Sequence, residues 1–549
     1  MLHLVVNRQE LLYDLYALTQ AFYPGIEIVS HNGKCGDDHG DNLYKENHPE
    51  ENDNEENSCK DSFGVKDFHK DTLEVSLYED SGKIVITKGE IFSHGLLKEY
   101  TDQEIMKEAE VFLKAEMDTA AARKRALKNL FYDAMSEYTG KKLPWGNLTG
   151  IRPTKLIRTL MQQYGEPEKL SEQIYGMHRL QGEKLQLGIE IAGLQNDILS
   201  ELHGLSGYSV YVGIPFCPSR CLYCSFTSNP VDKWKKRIPE YLAALRKELE
   251  YTAASPYAKM RTLDTVYVGG GTPTALSAEE LDVLLRDITT ILPMEQVKEF
   301  TVEAGRADSI TEDKLEILKK YHVTRISVNP QTMKEETLKT IGRKHTVDDV
   351  YRAYDMARKA GFDNVNMDII LGLPGETAED VAYTIEKIVK MAPDSLTVHS
   401  LAVKRAAGLK DRYDSEGDPR AQGGDQVQIM MERAMEISSK GARQMGMKPY
   451  YLYRQKNMAG NLENTGYSLP GKYGLYNILI MEELQSIIAL GAGSVSKRVD
   501  PDGRIERCDN VKDIRLYLDK IEEMIGRKRV LFAELSEEEL LNKNIISPK

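Results

Sequence analysis

The 549-residue sequence lacks several features that would assign it to other classes of protein. Its longest apolar runs, residues 476–481 and 486–490, are much shorter than the roughly 20 residues that span a bilayer, so we expect no membrane span. The N-terminus has neither a basic segment nor a long apolar segment, so no secretory signal is expected. The six cysteines are too scattered for a disulfide framework, apart from three that lie within eight residues. These absences predict a cytoplasmic protein in a reducing compartment.

An excess of positive charge is also missing. The sequence has 72 Lys and Arg residues against 85 Asp and Glu residues, which gives a formal net charge of −13. This balance argues against non-specific binding to nucleic acid or to an anionic membrane surface, although it allows a local basic pocket. The length and the 41% hydrophobic content predict several domains with buried cores.

Residues 1–150 predict an N-terminal α+β domain. Its predicted elements are strands at 2–6 and 26–29, a helix at 9–22 and a hairpin formed by 73–77 and 83–87. Segment 36–71 is crowded with Asp, Glu, Asn and His, which bury too little apolar surface to offset the entropy of ordering, so it predicts a mobile acidic loop. The irregular spacing of its histidines argues against a metal site. Residues 101–138 contain no Gly or Pro and predict one long helix.

Residues 206–410 alternate β-rich runs with amphipathic helical stretches, after a helical linker predicted over 151–205. The predicted strands are residues 209–214, 265–268, 299–302, 325–328, 364–370 and 395–400. Strands separated by crossover helices predict an α/β fold with a parallel sheet. Six such units would form a partial (β/α)6 barrel with its chemistry at the carboxyl ends of the strands. Residues 411–549 predict a mainly helical C-terminal region that caps the open side.

The loop after the first of these strands carries Cys217, Cys221 and Cys224, in the run YVGIPFCPSRCLYCSF. Three thiolates spaced Cys-x3-Cys-x2-Cys can each bind one iron of a [4Fe–4S] cubane and leave the fourth iron open. The open iron can chelate the amino and carboxylate groups of S-adenosylmethionine. Structural zinc usually takes four ligands in paired sets, and no second Cys or His pair has suitable spacing. The spacing therefore favours an iron–sulfur cluster over zinc or over buried free thiols.

Polar and glycine-rich segments follow the second and third strands. Gly270, Gly271 and Thr272 belong to the run GGGTPT, where the absence of Cβ lets the backbone approach a ligand closely. Glu303 ends the third strand and could accept hydrogen bonds from the amino group or the ribose of S-adenosylmethionine. A tight turn and a structural salt bridge remain the alternatives.

Three more polar residues belong to the next two units. Gln331 and Arg343 come after the fourth strand, and a guanidinium there suits the methionine carboxylate. Asp368, within the fifth strand, would be a buried carboxylate in need of partners such as ribose hydroxyls. Structural roles remain open for each of them.

As a set, these motifs resemble the oxygen-independent coproporphyrinogen III dehydrogenases (oxidases), a family of radical S-adenosylmethionine enzymes. The resemblance runs from about residue 211 to 402, and IRPTK before it and YLYRQKNMAGNLENTGYS after it are similar to the Gram-positive-type branch with a long N-terminal extension. It implies that Tyr211 lies beside the cluster and the adenosyl group. The residues that it implies as contacts of S-adenosylmethionine are Tyr211, Gly270, Gly271, Thr272, Glu303, Gln331, Arg343, Asp368 and Ala402.

The resemblance implies oxidative decarboxylation of two propionates of coproporphyrinogen III to the vinyl groups of protoporphyrinogen IX, in anaerobic haem biosynthesis. It also implies an electron donor such as flavodoxin or ferredoxin. A substrate with four carboxylates requires a local basic pocket. The candidates near predicted strand ends are Arg306, Lys404, Arg405 and Arg454.

Some residues depart from the pattern of the best-studied dehydrogenases. Ser225 and Phe226 follow the third cysteine, where those enzymes have another cysteine, and the third strand continues as EAGRAD. The Ser-Phe pair also resembles haem-trafficking relatives, so a haem chaperone is an alternative, with His399 or a tyrosine of 450–453 as axial ligand. Those relatives carry an HN-x-x-YW-type stretch, and the nearest candidate at Tyr476 lacks its His. A radical methyltransferase acting on a tetrapyrrole is the third possibility, although no second methyl-donor site is evident.

Overall fold

The computed structural model describes residues 2–24, 26–32, 72–78, 83–90, 93–115, 117–150, 152–226, 228–404, 406–416, 419–455 and 462–533. The predicted acidic loop, the turn of the first hairpin and Arg405 lie outside the described residues. The chain divides into two compact units, of which the first comprises Met1–Thr149, Leu160–Leu185 and Pro419–Gly424 and the second Gly150–Thr159, Gln186–Asp418 and Asp425–Lys549. Within the described ranges, no helix combines the length and the apolar character needed to cross a membrane.

The first unit is built on a five-stranded sheet. Its strands are β1 (Leu2–Val6), β2 (Ile28–Asn32), β3 (Thr72–Tyr78), β4 (Lys83–Glu90) and β5 (Ser93–Tyr100), in the order β2-β1-β3-β4-β5. β1 pairs in parallel with β2 and β3, whereas β3, β4 and β5 are antiparallel. The helix α1 (Gln9–Phe22) buries Leu11, Leu15, Leu18 and Phe22, the apolar stripe of a helix that packs on a core. The predicted α+β character of this region is confirmed, and β5 is an addition to it.

The single helix predicted over 101–138 is wrong, because the segment forms two helices, α2 (Asp102–Leu113) and α3 (Thr119–Thr139). The side chain of Asp118 accepts a hydrogen bond from the backbone N–H of Ala121 at 2.9 Å. Asp118 itself has an extended backbone, so it begins a new helix and cannot continue the old one. Because the segment contains no Gly or Pro, its sequence gives no signal of the break between α2 and α3.

The remaining helices are divided between the two units, with Pro167–His178 in the first and most of the others in the second. They are α4 (Pro153–Tyr164), α5 (Pro167–His178), α6 (Gly182–Leu199), α7 (Ile238–Ala254), α8 (Pro256–Lys259), α9 (Ala278–Ile291), α10 (Glu312–Lys320), α11 (Glu335–Thr340), α12 (Val347–Lys359), α13 (Ala378–Met391), α14 (Gly408–Glu416), α15 (Pro419–Gln444), α16 (Leu475–Glu482), α17 (Ile514–Asp519) and α18 (Ile521–Leu531). Crossover helices between successive strands are the connections that a parallel sheet requires.

The second unit has an eleven-stranded sheet and a separate two-stranded one. Its strands are β6 (Gly207–Ile214), β7 (Phe216–Cys217), β8 (Asn229–Pro230), β9 (Thr262–Gly270), β10 (Glu299–Glu303), β11 (Arg325–Ser327), β12 (Val365–Leu371), β13 (Ser395–Ser400), β14 (Lys448–Tyr453), β15 (Asn464–Ser468), β16 (Ser486–Leu490), β17 (Val495–Val499) and β18 (Ile505–Asp509). The large sheet has the order β14-β15-β13-β12-β11-β10-β9-β6-β16-β17-β18. All six predicted barrel strands lie side by side in it and pair in parallel, which confirms the predicted α/β fold.

The C-terminal region contributes strands as well as helices, which the sequence reasoning did not foresee. β16 extends the parallel series beside β6, and β17 and β18 continue antiparallel from it. At the other edge β15 pairs antiparallel with β13, and β14 pairs antiparallel with β15. Two of these pairings, β16 with β6 and β15 with β13, join segments far apart in the chain, and the short apolar runs give no local signal of them. They complete the sheet whose carboxyl ends carry the candidate site.

Candidate active site

The cysteine loop is tied to the glycine-rich loop of the neighbouring strand. The backbone N–H of Gly271 donates to the carbonyl of Ile214 at 2.7 Å, and that of Thr272 donates to the carbonyl of Phe216 at 2.7 Å. The hydroxyl of Thr272 donates to Sγ of Cys217 at 3.6 Å. The two loops after β6 and β9 therefore fix each other at the first cysteine.

Glycine is required where these loops meet. A Cβ on Gly271 would lie 2.4 Å from the carbonyl oxygen of Phe216 and 3.0 Å from Sγ of Cys217. Gly270 has a φ of +105°, a conformation that residues other than glycine rarely adopt. The predicted close approach of backbone thus takes place against the cysteine loop itself.

Arg306, predicted as a ligand of substrate carboxylates, contacts the cysteine loop instead. Its Nη1 donates to the carbonyl and the hydroxyl of Ser219 at 3.2 and 3.1 Å, and lies 3.7 Å from Sγ of Cys221. Its Nε and Nη2 bind the two carboxylate oxygens of Asp308 at 2.9 and 2.6 Å. Burial alone would raise the pKa of Asp308, but His345 and Arg306 hold it below its ordinary value. The sequence gives no signal of this ion pair beyond the proximity of Arg306 and Asp308 in EAGRAD.

Arg343 and Gln331 are held by backbone groups of the loops around them. Nη1 of Arg343 donates to the carbonyls of Gly305 and Asn329 at 3.0 and 3.2 Å, and Nη2 donates to the hydroxyl of Tyr223 at 3.0 Å. Gln331 has a φ of +67°. Its backbone N–H donates to the carbonyl of Asp368 at 2.9 Å, which joins the loop after β11 to β12.

Glu303 lies beside three tyrosine rings. The hydroxyl of Tyr267 donates to Oε1 of Glu303 at 2.5 Å. Burial raises the pKa of the Glu303 carboxyl to about 7, against the effect of that hydrogen bond. The ring of Tyr267 stacks on those of Tyr211 and Tyr476, with centroids 6.1 and 4.6 Å away. Tyr211 and Tyr267 are register partners in β6 and β9, and that shared position is the signal by which the stack could have been predicted.

Asp368 has polar neighbours on its own strand and on the next one. Nδ2 of Asn366 donates to its Oδ1 at 2.7 Å, and Nε2 of His399 lies 3.8 Å from its Oδ2. Burial alone would raise the pKa of Asp368, but the nearby His399 and the hydrogen bond from Asn366 lower it below its ordinary value. Tyr453 Oη and His399 Nδ1 are 3.5 Å apart on the far side of the imidazole. Asp368 is therefore an ionised acceptor in place at the cavity.

One cavity of about 380 Å³ brings together all the residues predicted for the cluster and for S-adenosylmethionine except Tyr211. Its lining includes Cys217, Cys221, Cys224, Gly270, Gly271, Thr272, Glu303, Gln331, Arg343, Asp368 and Ala402. Tyr211 lies behind this lining, with its hydroxyl 3.2 Å from the position of a Cβ on Gly270.

The lining offers unpaired polar atoms to a ligand. Counting only partners in the described part of the chain, Ser327 Oγ, Asn329 Oδ1, Gln331 Oε1 and Arg343 Nε are buried without a hydrogen bond. Such atoms are costly unless a ligand or water satisfies them. They fit a polar molecule such as S-adenosylmethionine.

The three cysteines on the cavity lining are a donor set that fits an iron–sulfur cluster. In a cubane each thiolate binds a different iron, and three thiolates leave the fourth iron open. Burial raises the pKa of the Cys217 and Cys224 thiols, so these two release protons when they bind metal.

The remaining basic candidates differ in position. Lys404 lines the cavity, with Nζ 6.0 Å from the centroid of the Phe226 ring, and burial lowers its pKa. Phe226 is 67% exposed at the end of the cysteine loop. Arg454 is buried and is not among the lining residues. Of the four basic side chains proposed from the sequence, Arg306 and Lys404 line the cavity. Arg306 is paired with Asp308, which leaves Lys404 as the candidate for a substrate carboxylate.

Comparison with known proteins adds the family. The Radical SAM superfamily matches residues 211–388. A Bacillus subtilis (strain 168) protein named oxygen-independent coproporphyrinogen-III oxidase-like protein HemZ is 36% identical over 478 residues, 86% of this chain and 92% of that protein. Heme chaperone HemW of the same organism is 38% identical over 202 residues, 36% of this chain and 51% of that protein. The solved structure of coproporphyrinogen III oxidase (HemN) from Escherichia coli, a radical SAM enzyme, has a TM-score of 0.47 at 19% identity and covers 64% of this chain and 77% of that one.

The similarity to the first of these relatives extends over nearly all of that protein. Proteins of the matching superfamily use a [4Fe–4S] cluster and S-adenosylmethionine, which agrees with the donor set described above. The chain therefore belongs to the oxygen-independent coproporphyrinogen-III oxidase-like family of the radical SAM superfamily.

Proposed function

We propose that this chain is an oxygen-independent coproporphyrinogen III dehydrogenase, which converts two propionates of its substrate into the vinyl groups of protoporphyrinogen IX. The observation that carries the proposal is the single cavity in which the cysteine loop, the Gly270–Gly271 turn, Glu303 and Asp368 meet. The name of the relative that is 36% identical over 92% of its length supports the same reaction.

In this proposal Cys217, Cys221 and Cys224 hold the cluster. When bound, the cluster and S-adenosylmethionine would take one electron from a reductant of the flavodoxin or ferredoxin class and would supply removal of one β-hydrogen atom from a propionate, whose carbon dioxide leaves while one electron passes to a one-electron acceptor. The chain itself binds and orients both molecules and excludes water from the cavity.

The polar lining supplies the contacts to S-adenosylmethionine. Asp368 is an ionised acceptor suited to ribose hydroxyls, and Glu303, once ionised, is suited to the methionine amino group. The buried and unpaired Nε of Arg343 is a donor for an acceptor atom of the ligand. These contacts hold the adenosyl group against the cysteine loop.

Lys404 is the residue that we propose for a substrate carboxylate. It lies on the cavity lining beside the exposed ring of Phe226, whose face suits the flat apolar surface of a pyrrole ring. Lys404 is exposed, so an ion pair with a propionate there should contribute about 1 kcal/mol or less.

Anaerobic turnover tests the proposal. Reconstituted protein is incubated with a chemical reductant, S-adenosylmethionine and coproporphyrinogen III, and protoporphyrinogen and 5′-deoxyadenosine are measured. Two molecules of 5′-deoxyadenosine per product are expected, because each propionate loses one hydrogen atom. Cys217→Ala should abolish both products, whereas the matched control Cys508→Ala, a free cysteine on β18, should retain them. Cleavage of S-adenosylmethionine without decarboxylation would refute the substrate, and a methylated tetrapyrrole would point to a methyltransferase.

A haem chaperone is the second candidate, favoured by the 38% identity to heme chaperone HemW over 202 residues. Haem needs an axial ligand, and His399 is the histidine at the cavity lining. His399 already contacts Asp368 and Tyr453, so ligation would have to displace one of them. A haem titration distinguishes the two functions: stoichiometric binding that is lost in His399→Ala, without any decarboxylation by the wild type, would replace the dehydrogenase by the chaperone.

A further inference from the structure

A cluster of basic side chains surrounds the end of α16, away from the cysteine loop in sequence. Its centre is the pair Glu482 and Glu483, whose side chains are 1% and 4% exposed. We name it the Glu483 cluster, and its basic members are Arg152, Lys155, Arg158, Lys497 and Arg507. Arg152 and Lys155 come from IRPTK, a motif that the candidate active site does not use.

Glu483 is shared by four cations. Its Oε1 lies 2.7 Å from Nη2 of Arg152, 3.2 Å from Nη2 of Arg507 and 3.5 Å from Nζ of Lys497. Its Oε2 lies 3.7 Å from Nζ of Lys155. One buried carboxylate would be compensated by one or two of these groups, so salt bridging alone does not explain the other two.

Among the described residues, Glu482 forms an ion pair with only one further cation. Nη2 of Arg158 lies 3.2 Å from its Oε2, and the hydroxyl of Thr154 donates to its Oε1 at 2.9 Å. Five cations therefore share two carboxylates, and three positive charges are in excess. This local excess stands out in a chain whose formal charge is −13.

The excess charge opposes the stability of the fold. Lys497 and Arg507 are register partners in β17 and β18, and like charges directly opposite each other destabilise a sheet. Burial lowers the pKa of Lys497, and the neighbouring Arg152 and Arg507 add to this effect. An arrangement that repels itself in the absence of an anion is expected where an anion binds.

Two further observations point to an oxyanion. The Nε atoms of Arg152 and Arg158 are buried and have no hydrogen-bond partner among the described residues. α4 begins at Pro153, directly after Arg152, and the N-terminus of a helix adds a partial positive charge. Planar guanidinium groups with free N–H donors match the oxygens of phosphate groups.

We propose that the Glu483 cluster is a binding site for a phosphate-class oxyanion. Arg507 and Lys155, whose side chains are 50% and 39% exposed, form its open rim, and Arg152 and Lys497 lie deeper. The site adjoins the candidate active site through α16, which ends at Glu482 and contributes Asn477 and Met481 to the cavity lining. It does not depend on the iron–sulfur cluster or on the proposed reaction.

Isothermal titration of the full chain with inorganic phosphate, at ionic strength held constant with sodium chloride, tests the proposal. Saturable binding of one phosphate per chain is expected. Arg507→Gln should raise the Kd for phosphate by at least about 10-fold, because it removes a charge-assisted hydrogen bond, and Arg507→Lys should raise it less. The matched control is Arg504→Gln, which removes the same charge from the same hairpin where Arg504 pairs with Asp502, and it should bind like the wild type.

Thermal unfolding without phosphate separates binding from a structural role. Since Glu483 keeps three other cations, Arg507→Gln should leave the midpoint unchanged or raise it by removing repulsion. The phosphate titration and the thermal unfolding are repeated with Lys497→Gln, which removes one of the less exposed cations of the cluster. Absence of saturable phosphate binding, equal weakening in Arg504→Gln, or saturation by citrate but not by phosphate would each overturn the assignment. A lower midpoint with undiminished phosphate binding would assign the cluster to stability alone.

Discussion

The two sides of the cavity are built differently. The cysteine side, formed by the loops after β6, β9 and β10, has its polar groups paired within the protein, as Arg306 is with Asp308 and the Ser219 carbonyl. The carboxylate side, formed by β12, β13 and the loop after β13, has Asp368 and His399 at longer range, 3.8 Å apart. Lys404, in that loop, lines the cavity without a salt bridge to a carboxylate of the described residues. The cysteine side also leaves no space for a Cβ at Gly271.

This difference corresponds to two kinds of ligand. A cluster that stays bound through many turnovers needs thiols in fixed places, and tight packing with satisfied hydrogen bonds fixes them. S-adenosylmethionine and a substrate enter and leave, so their side of the cavity must keep polar atoms free to exchange partners. Substitutions on the cysteine side should therefore affect cluster content and stability, and those on the carboxylate side should affect binding and pH dependence.

The largest effect is expected for Gly271→Ala. The new Cβ would lie 2.4 Å from the carbonyl of Phe216 and 3.0 Å from Sγ of Cys217, and the first of these is backbone that cannot move aside cheaply. We expect the cysteine loop to be displaced, at a cost of about 1–3 kcal/mol or more, and the iron and sulfide content after reconstitution to fall to background.

Gly305→Ala is the matched control for that substitution. Gly305 also lines the cavity, but its Cβ would meet Nδ2 of Asn329 at 3.1 Å, the end of a side chain that can rotate away. Its cluster content should match that of the wild type. Equal cluster content in both variants would mean that the cysteine side is not rigid, and it would refute the difference proposed between the two sides of the cavity.

A smaller effect on the same side is expected for Arg306→Gln. It leaves Asp308 with His345, whose Nδ1 lies 3.7 Å from Oδ1 of Asp308, as its remaining partner, and it should lower the free energy of unfolding by about 1–2 kcal/mol. The double variant Arg306→Gln/Asp308→Asn should lose less than the sum of the two single variants, as measured by urea unfolding.

The reduction potential of the reconstituted cluster gives a second measure of Arg306, which lies 3.7 Å from Sγ of Cys221. Loss of its positive charge in Arg306→Gln should lower the potential, and loss of the negative charge in Asp308→Asn should raise it. If Arg306 and Asp308 had only a structural role, the reduction potential would shift in the same direction in both variants or in neither. Redox titration followed by electron paramagnetic resonance distinguishes the two cases.

The sequence was sufficient for the parts of the fold that local pattern determines. The six parallel strands follow from apolar runs separated by crossover helices, and Cys217, Cys221 and Cys224 follow from their spacing. The C-terminal strands β14 to β18 could not be predicted in the same way. They join the sheet through β16, whose partner β6 lies hundreds of residues away, and through β15, which pairs with β13, and short strands carry no signal of a distant register.

For the site, the sequence predicted which residues meet but not what each one touches. Arg306 and Lys404 were equivalent candidates as basic residues near strand ends, and only the fold separates them, because Asp308 pairs with the first and not with the second. The Glu483 cluster was likewise invisible, since Arg152 and Arg507 are brought together by tertiary packing alone.

Among the residues proposed to contact S-adenosylmethionine, Glu303 at the end of β10 should give the chain a pH dependence that Glu303→Gln removes. Burial raises the pKa of Glu303 from 4.5 to about 7, so the folded chain keeps a proton that the unfolded chain releases. The corresponding stability is complete below pH 4.5 and is lost as the pH rises through about 7. Between pH 4.5 and about 7 this effect should lower the free energy of unfolding of the wild type by an amount of the order of 1–3 kcal/mol, and Glu303→Gln should not show it. Urea unfolding at a series of pH values measures the difference.

Affinity for S-adenosylmethionine should change in the opposite sense, because an ionised Glu303 attracts the amino group of the ligand. In equilibrium dialysis, the wild type should bind more tightly as the pH passes about 7, and Glu303→Gln should show no such rise. Glu316→Gln, on α10 and outside the cavity lining, is the control and should keep both dependences. A wild-type affinity that is flat across this range would remove Glu303 from the ligand contacts.

The smallest effect is expected for Lys404→Gln, which tests whether the open side of the cavity receives the substrate. Lys404 lines the cavity and has no ion pair with the described residues there, so its removal should change the free energy of unfolding by less than about 0.5 kcal/mol. A lost ion pair of about 1 kcal/mol with one propionate should raise the KM for coproporphyrinogen III about 5-fold and leave kcat unchanged, because it binds ground state and transition state alike. Lys410→Gln, which removes a lysine paired with Asp414 outside the lining, is the matched control. A fall in kcat instead would mean that Lys404 acts on the cysteine side, where Phe226 lies next to it.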